Sequence, residues 1–314
     1  MDVQHLPVMV VETLEWLEPR RGGLFVDATV GLGGHSEALL EASPDTQVVG
    51  IDRDPEALAR AGRRLARFGP RVRLVHANFH HLESALAGLG VRGVAGVLAD
   101  LGVSSLQLET AERGFSFRRD GPLDMRMGLS DLTAAELVNQ TSEGELEKIF
   151  RDYGEERQAR RIARAIVRAR QEQPIKTTGE LKRLIDEVKG PRAAREERID
   201  PATRIFQALR IAVNQELAGL EKFIQEAVDL LETSGRLVVI SYHSLEDRIV
   251  KNTLRDLARG EIDPVTGRSR SESQLIEVLT RKPVRPGEEE VERNPRSRSA
   301  RLRAARRLPE VSRR

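Results

Sequence analysis

The chain has 314 residues, of which 39% are hydrophobic and 32% charged, and it contains no cysteine. This composition is typical of one or two globular domains, and it excludes disulfide frameworks, cysteine-ligated metal sites and thiol nucleophiles. Because no apolar run approaches the roughly 18 residues of a membrane span and the first residues lack a secretory pattern, we expect a cytoplasmic protein without membrane contact.

Four short β-branched runs, each followed by an amphipathic helical stretch, occupy the first hundred residues. The runs end at Asp27, Asp52, Asn78 and Asp100, and the nearly equal intervals between these residues each leave room for one helix and its turns. This βαβ spacing predicts a mainly parallel sheet with helices on both faces. Ligands of such folds bind outside the carboxyl ends of the strands, so these four residues mark the expected ligand edge.

The βα rhythm stops after Leu101. Residues 108–212 have the pattern of helices and loops, followed by a helix at Leu217–Leu231 and a fifth buried strand at Leu237–Ser241. Two closing strands are expected further on. The predicted fold class is therefore α/β, a Rossmann-like sheet with an inserted all-helical domain; the core comprises residues 1–107 and 213–314, and the closing strands cover 274–280 and 299–307.

A glycine-rich turn follows the first strand and opens a helix, with glycines at Gly31, Gly33 and Gly34. Glycine lets a ligand approach the backbone, and a helix N-terminus offers free N–H groups. Ser36 replaces the third glycine of the dinucleotide fingerprint, and Asp27 precedes the turn, which favours S-adenosylmethionine over a nicotinamide. Asp52 ends the next strand, where this fold places a carboxylate on ribose hydroxyls. The alternative is an α/β protein without a nucleoside cofactor.

The fourth strand ends in Asp100-Leu101-Gly102-Val103-Ser104-Ser105, at the position of the target-amine motif of amino-group methyltransferases. The lone pair of an exocyclic amine is delocalised into the base, so methylation requires an acceptor that draws off N–H character. Asp100 can supply that acceptor. A capping aspartate at a turn is the alternative.

Two stretches are strongly basic. Residues 291–314 contain nine arginines against two glutamates, and residues 157–171 contain six arginines and no acid. In the second stretch, five arginines recur at three- and four-residue steps opposite an apolar face. We interpret both stretches as phosphate-contacting surfaces, with solvated basic faces as the alternative. The five arginines are Arg157, Arg160, Arg161, Arg164 and Arg168.

Ten motifs in order resemble the bacterial 16S rRNA cytosine-N4 methyltransferase family, called RsmH or MraW. The sequence departs from that pattern at Gly128, where aspartate is usual, and at Tyr242, where phenylalanine is common. Each motif is weak alone, but the ordered set spans almost the whole chain. The motifs are His5-x-Pro7-Val8-Met9, Asp27-x-Thr29-x-Gly31-x-Gly33-Gly34-His35-Ser36, Gly50-Ile51-Asp52-Arg53-Asp54, Asn78-Phe79, Asp100-Leu101-Gly102-Val103-Ser104-Ser105-x-Gln107, Gly114-Phe115-Ser116-Phe117, Gly121-Pro122-Leu123-Asp124-Met125-Arg126-Met127, Arg204-x-Phe206-Gln207-Ala208-Leu209-Arg210, Ser241-x-His243-Ser244-Leu245-Glu246-Asp247-Arg248 and Asn294-Pro295-Arg296-Ser297-x-Ser299-Ala300.

The resemblance implies an S-adenosylmethionine-dependent methyltransferase that acts on the N4 amine of a cytidine in the decoding region of 16S rRNA. It implies a substrate-binding helical insert, the small ribosomal subunit as partner, and no metal, and it leaves a homodimer open. Asp100 is the expected catalytic residue. The cofactor contacts implied by position are Gly33, Gly34, His35, Asp52, Phe79, Asp100 and Gln107, with Asp27 as a further candidate beside the methionine amine.

Several alternatives compete with this interpretation. An N4-cytosine DNA methyltransferase would have the same site chemistry, because 2′-hydroxyl recognition is not visible in a sequence. A non-enzymatic RNA-binding module would explain the arginines but not the glycine turn with two strand-end aspartates. A hydrolase and a metal site are weaker, because their residues lack the required arrangement. They would use Ser241, His243 and Asp247, and His76, His80 and His81, respectively.

Overall fold

The computed structural model of the chain describes residues 7–128, 130–196, 200–261 and 273–309. The chain separates into two compact units. Unit 1 comprises residues 1–102 and 219–314, and unit 2 comprises residues 103–218. The insert expected at 108–212 lies within unit 2.

Unit 1 contains a seven-stranded sheet in the order β3-β2-β1-β4-β5-β7-β6. The first five strands in chain order are parallel, and β7 runs antiparallel to both β5 and β6. The predicted α/β Rossmann-like class is confirmed, and so are both closing strands. The strands are β1 Gly23–Asp27, β2 Thr46–Asp52, β3 Val72–His76, β4 Val94–Asp100, β5 Leu231–Ser241, β6 Ile276–Val278 and β7 Arg301–Arg307.

Helices flank the sheet in unit 1 and make up most of the secondary structure of unit 2. Those of unit 1 are α1 to α4 and α11 to α13, and those of unit 2 are α5 to α10. Their bounds are α1 Val10–Leu17, α2 Gly34–Ala42, α3 Pro55–Leu65, α4 Leu82–Ala87, α5 Ser105–Glu109, α6 Ala134–Gln140, α7 Glu143–Asp152, α8 Ala159–Glu172, α9 Thr178–Glu196, α10 Thr203–Asn214, α11 Leu220–Leu230, α12 Ser244–Arg259 and α13 Glu288–Arg293.

Both faces of the central strands are buried, which explains why these strands are nearly continuous apolar runs, whereas β3 at the edge of the sheet is partly exposed. Neighbouring residues of β1 point to opposite faces, so Phe25 packs with Leu39 on one side and Val26 packs with Phe223 on the other. β5 begins at Leu231, earlier than the predicted start at Leu237, because Leu231 already pairs with Val94 ahead of an irregularity in the β4–β5 ladder. The helices cover the faces and leave the carboxyl ends of the strands available for a site.

Unit 2 has its own apolar core, built from the inner faces of its helices. Phe150, Ile162, Leu181 and Leu209 are completely buried within it. A capping box at Thr133 begins α6, and one at Ser142 begins α7 in the same way. Within the described ranges, no helix of either unit combines the length and apolarity that a membrane crossing requires.

Candidate active site

Three aspartates lie at the carboxyl edge of the parallel strands in unit 1. Asp27 ends β1, Asp52 ends β2 and Asp100 ends β4, and β1 lies between the other two strands. The register aligns the strand ends, since Asp27 pairs with Gly50 of β2 and with Leu98 of β4. Parallel pairing therefore gathers side chains that are distant from one another in the chain.

Backbone conformation and packing within the chain explain the glycines in the turn between β1 and α2. Gly33 has φ +82° and caps α2 without a side chain, so the first N–H groups of the helix receive no side-chain acceptor from the cap residue. A Cβ atom on Gly34 would lie 2.9 Å from the ring of Pro7. Glycine is thus required at both positions for backbone geometry and packing, in addition to any approach by a ligand.

Asp27 and Ser36 connect the two ends of this turn. The Ser36 hydroxyl donates to Asp27 Oδ2 at 2.7 Å, and the Thr29 backbone N–H donates to Asp27 Oδ1 at 3.3 Å. Burial raises the pKa of Asp27 from 3.8 to about 6, although the nearby His35 and these hydrogen bonds act in the opposite direction. The serine at the third glycine position of the fingerprint is therefore a hydrogen-bond partner of Asp27.

Asp52 is held by the backbone. Its Oδ2 accepts from the Gly31 N–H at 2.8 Å and its Oδ1 accepts from the Asp54 N–H at 2.9 Å. Burial is the main reason that the pKa of Asp52 is raised. Because a carboxylate has about four acceptor positions, these two donors leave capacity for two hydroxyl groups of a ribose. The donor set therefore suits a nucleoside.

His35 and Asp100 form a buried polar pair beside the glycine turn. His35 Nε2 lies 3.6 Å from Asp100 Oδ2, and the side chain of Asp100 is 21% exposed. Both ring nitrogens of His35 and Asp100 Oδ1 are buried without a hydrogen-bond partner among the described residues. Since buried polar atoms are ordinarily satisfied, these three atoms point to a ligand that supplies donors and acceptors.

Phe79 follows β3 and is partly buried at the margin of the unit 1 core. Its ring packs edge-on against Phe223, with centroids 5.0 Å apart, and against His80 at 4.4 Å. This packing fixes the ring whether or not adenine contacts it. Gln107 lies in unit 2, where its Oε1 accepts from the Ser104 N–H at 2.9 Å. The other six predicted cofactor residues lie in unit 1, and all seven contacts remain predictions.

The chain matches the model of the MraW methylase family over residues 2–308. It belongs to this family. The ribosomal RNA small subunit methyltransferase H of Geobacter sulfurreducens is 54% identical over 318 residues, which is 98% of this chain and 100% of the relative. The protein of the same name from Geotalea uraniireducens is 52% identical over 317 residues, 98% and 99% of the two chains. A solved rRNA methylase from Streptococcus thermophilus is 12% identical, with a TM-score of 0.42 and 95% of each chain covered.

The family resemblance expected from the motifs is confirmed. The chain is an S-adenosylmethionine-dependent methyltransferase. The atoms at the sheet edge fit that cofactor. Asp52 has acceptor capacity for ribose hydroxyls, and both ring nitrogens of His35 and Oδ1 of Asp100 are buried without a hydrogen-bond partner among the described residues. This fit is a matter of donor and acceptor chemistry in the chain itself.

The serine and histidine motif after β5 has a structural role in this MraW family member. His243 caps α12 in a capping box with Glu246, and its Nε2 lies 3.1 Å from Glu246 Oε1. Asp247 accepts two hydrogen bonds from the guanidinium of Arg303, at 2.7 and 3.2 Å. Ser241 donates to the Arg301 carbonyl at 3.3 Å. These residues serve different partners, so they do not form a hydrolase triad.

The two basic stretches differ in how their arginines are used. In β7, Arg303 is 5% exposed and paired with Asp247, while Arg306 and Arg307 form ion pairs with acids of unit 1. The expectation of a phosphate-contacting surface is wrong for Arg303, which is buried because β7 lies between two other strands, and it stays a prediction for the exposed arginines of the stretch. Arg313 and Arg314 lie outside the described residues.

Helix α8 of unit 2 exposes most of its arginines, although Arg170 is partly buried and donates to the Val138 and Thr141 carbonyls, and Arg157 lies just before the helix begins. Ala159, Ile162, Ala163 and Ile166 are buried on one side, and the five arginines of the predicted basic face are exposed. Arg164 lies 3.5 Å from Glu143, and Arg161 donates to the Gln158 side chain and the Val188 carbonyl. Arg157, Arg160 and Arg168 have no ion-pair partner within the part of the chain that the structure describes.

Tyr242 lies beside Asp100 of the candidate site, although the sequence marks it only as a departure from the family pattern. Its ring packs against Gly102, and its hydroxyl faces Asp100. Thr29 has no predicted role either, yet its hydroxyl accepts from the Asp100 backbone N–H at 2.7 Å. The sequence signal for both is their position directly after strands that flank β4, but the strand order is needed to use it.

Proposed function

We propose that this protein transfers the methyl group of S-adenosylmethionine to the exocyclic N4 amine of a cytidine in the decoding region of 16S rRNA, in the small ribosomal subunit. The observation that carries the chemistry is the unpartnered, buried Oδ1 of Asp100 at the carboxyl edge of β4. The two relatives described above, named ribosomal RNA small subunit methyltransferase H, support the substrate class.

Four residues of unit 1 would hold the cofactor. Asp52 would accept hydrogen bonds from the ribose hydroxyls. The N–H groups of Gly34 and His35 at the start of α2 would face other polar groups of the cofactor. Phe79, whose ring packs against Phe223, would contact the adenine. When bound, S-adenosylmethionine supplies a methyl group on a sulfonium, an electrophile that needs no metal to activate it.

Asp100 would act on the target amine. Its carboxylate Oδ1 would accept a hydrogen bond from the N4 amine, which draws electron density toward the nitrogen as the nitrogen–methyl bond forms and the methyl–sulfur bond breaks, and the amine proton would pass to the carboxylate. The side chain of Asp100 lies at the carboxyl edge of β4, and its backbone is fixed by its hydrogen bond to Thr29. Orientation and acceptance of the amine hydrogen are therefore the contributions that Asp100 makes to the rate.

The rRNA would be bound in part by the basic face of α8 in unit 2. An enzyme that extracts a base from structured RNA spends a few kcal/mol on unstacking, which contacts to the phosphate backbone can offset. Arg157, Arg160 and Arg168 are suited to such contacts, because they are exposed and free of ion pairs in the described part of the chain. The same geometry does not distinguish one RNA segment from another.

The proposal is tested by methyl transfer to small subunits isolated from cells that lack this protein. Wild-type protein should place one methyl group on the N4 of a single decoding-region cytidine, located by mass spectrometry of rRNA fragments. Asp100→Asn should lower the single-turnover rate by about 100-fold or more while leaving the unfolding midpoint nearly unchanged, since the shape is kept and the acceptor is weakened. Methylation of DNA in place of rRNA, or full activity of Asp100→Asn, would contradict the proposal.

A matched control is available in the same unit. Asp45→Asn makes the same chemical change at an exposed carboxylate between α2 and β2. The rate of this variant should equal that of the wild type, so any loss seen in Asp100→Asn is specific to the strand edge.

A further inference from the structure

Tyr242 lies directly beyond β5, next to the motif that ends β4. In the parallel ladder Asp100 pairs with Ile240, and the Leu101 N–H donates to the Ile240 carbonyl at 2.9 Å. Just beyond these paired strand ends, the ring of Tyr242 covers Gly102. A Cβ atom on Gly102 would lie 2.6 Å from Cε2 of that ring, so the ring occupies the space that any larger residue would need.

The backbone at Tyr242 is also fixed. Its N–H donates to Glu246 Oε2 at 2.8 Å, and Glu246 is 2% exposed and engaged with His243 in the capping box of α12. With the main chain tied to α12 and the ring packed on Gly102, little freedom remains for the phenol. The hydroxyl of Tyr242 is therefore held in one position.

That position is beside the carboxylate of Asp100, close enough for the Tyr242 hydroxyl to donate a hydrogen bond to it. Burial raises the pKa of Tyr242 well above its usual value, and the negative charges of Asp100, Glu246 and Glu290 raise it further. Because the phenol stays protonated, it is a donor toward Asp100. On the other side, His35 Nε2 lies 3.6 Å from Asp100 Oδ2. Asp27, at the end of the neighbouring strand β1, also interacts electrostatically with Asp100.

We propose that Tyr242 is a positioning residue for methyl transfer, which holds the Asp100 carboxylate, together with His35, in the orientation that receives the target amine. The inference rests on the role proposed for Asp100 and extends it to a residue that does not itself touch the reacting atoms. Removal of the phenol hydroxyl leaves the carboxylate with one fewer donor, which frees its rotation.

The contact can be measured without any activity. The chain has two tyrosines, Tyr153 and Tyr242, so protein carrying Tyr153→Phe and labelled with ¹³Cζ-tyrosine has a single labelled phenol. Introducing Asp100→Asn into this background at neutral pH should shift the ¹³Cζ resonance of Tyr242, because the strength of its hydrogen bond changes. An unchanged resonance would show that the hydroxyl does not bond to Asp100 and would overturn the proposal.

The role in catalysis is tested with Tyr242→Phe, with Tyr153→Phe in unit 2 as the matched control. Tyr242→Phe should lower kcat by about 10- to 100-fold, the range expected for loss of a hydrogen bond to a charged group, with KM for the small subunit changed by less than about twofold. A fall in kcat with KM and the unfolding midpoint nearly unchanged is a result that a purely structural role would not produce. Tyr153→Phe should retain the wild-type kcat and KM.

Two results separate this inference from the proposed function. If wild-type protein is active on the small subunit and Tyr242→Phe keeps the wild-type kcat, the positioning role is wrong while the function stands. If wild-type protein does not methylate the small subunit, the proposed function fails and the role of Tyr242 fails with it, whatever the NMR experiment shows about the contact.

Discussion

Asp27 provides a quantitative test of how burial and hydrogen bonding compete at the sheet edge. Its pKa is raised to about 6 from the usual 3.8, chiefly by burial, despite the opposing effects of His35 and Ser36. The native state therefore binds this proton more tightly than the unfolded chain does. As the pH rises from about 4 to about 6, the free energy of unfolding falls, and the deficit is complete above about pH 6.

The size of the deficit follows from the two pKa values. At about 1.4 kcal/mol per pH unit, ionised Asp27 lowers the stability at neutral pH by about 3 kcal/mol. Asp27→Asn has the shape of the protonated acid, since its oxygen can accept from the Thr29 N–H and its amide can donate to the Ser36 hydroxyl. We therefore expect this variant to be more stable than the wild type by about 3 kcal/mol at pH 8 and equally stable at pH 4.

Urea unfolding at both pH values measures the effect. The single tryptophan, Trp16, lies in α1 of unit 1 and packs against its core, so its fluorescence reports the unit that contains Asp27. Asp45→Asn, at an exposed site, should change the stability by less than about 0.5 kcal/mol. If Asp27→Asn is less stable than the wild type at pH 8, or equally stabilised at pH 4 and pH 8, the neighbours rather than burial control this carboxylate and the reasoning is wrong.

Three further changes test the cofactor site, the RNA surface and the strand β7. Asp52→Ala should weaken S-adenosylmethionine binding by about 1–3 kcal/mol in calorimetry, through loss of ribose hydrogen bonds; unchanged affinity would remove Asp52 from the site. Arg160→Glu combined with Arg168→Glu should weaken binding to the small subunit and flatten its salt dependence without altering cofactor affinity, and a wild-type salt slope would exclude this face. Arg303→Ala should lower the free energy of unfolding in urea by about 3 kcal/mol, because it leaves Asp247 without its bidentate partner. Arg306→Ala, at the exposed pair with Glu277, should lower it by less than about 1 kcal/mol, and equal losses would refute the distinction.

The sequence by itself was sufficient to predict the sheet and the edge of the sheet at which the candidate site lies. Buried parallel strands are continuous apolar runs, and the runs that end at Asp27, Asp52 and Asp100 are read without tertiary information. The closing strands were predicted as well. The family followed from the order of the motifs, which depends on residue identity and spacing alone.

The strand order and the pairing of charges were decided only by the tertiary structure. β4 lies between β1 and β5, and this neighbourhood brings Tyr242 to Asp100 although the two residues are far apart in the chain. The same holds for Arg303. The sequence shows it only as one arginine of a basic stretch, whereas the pairing of β7 with β5 brings it into an ion pair with Asp247. Sequence patterns record which residues are apolar and which are charged, but a partner distant in the chain is selected by packing, because only packing determines which charges are removed from water together.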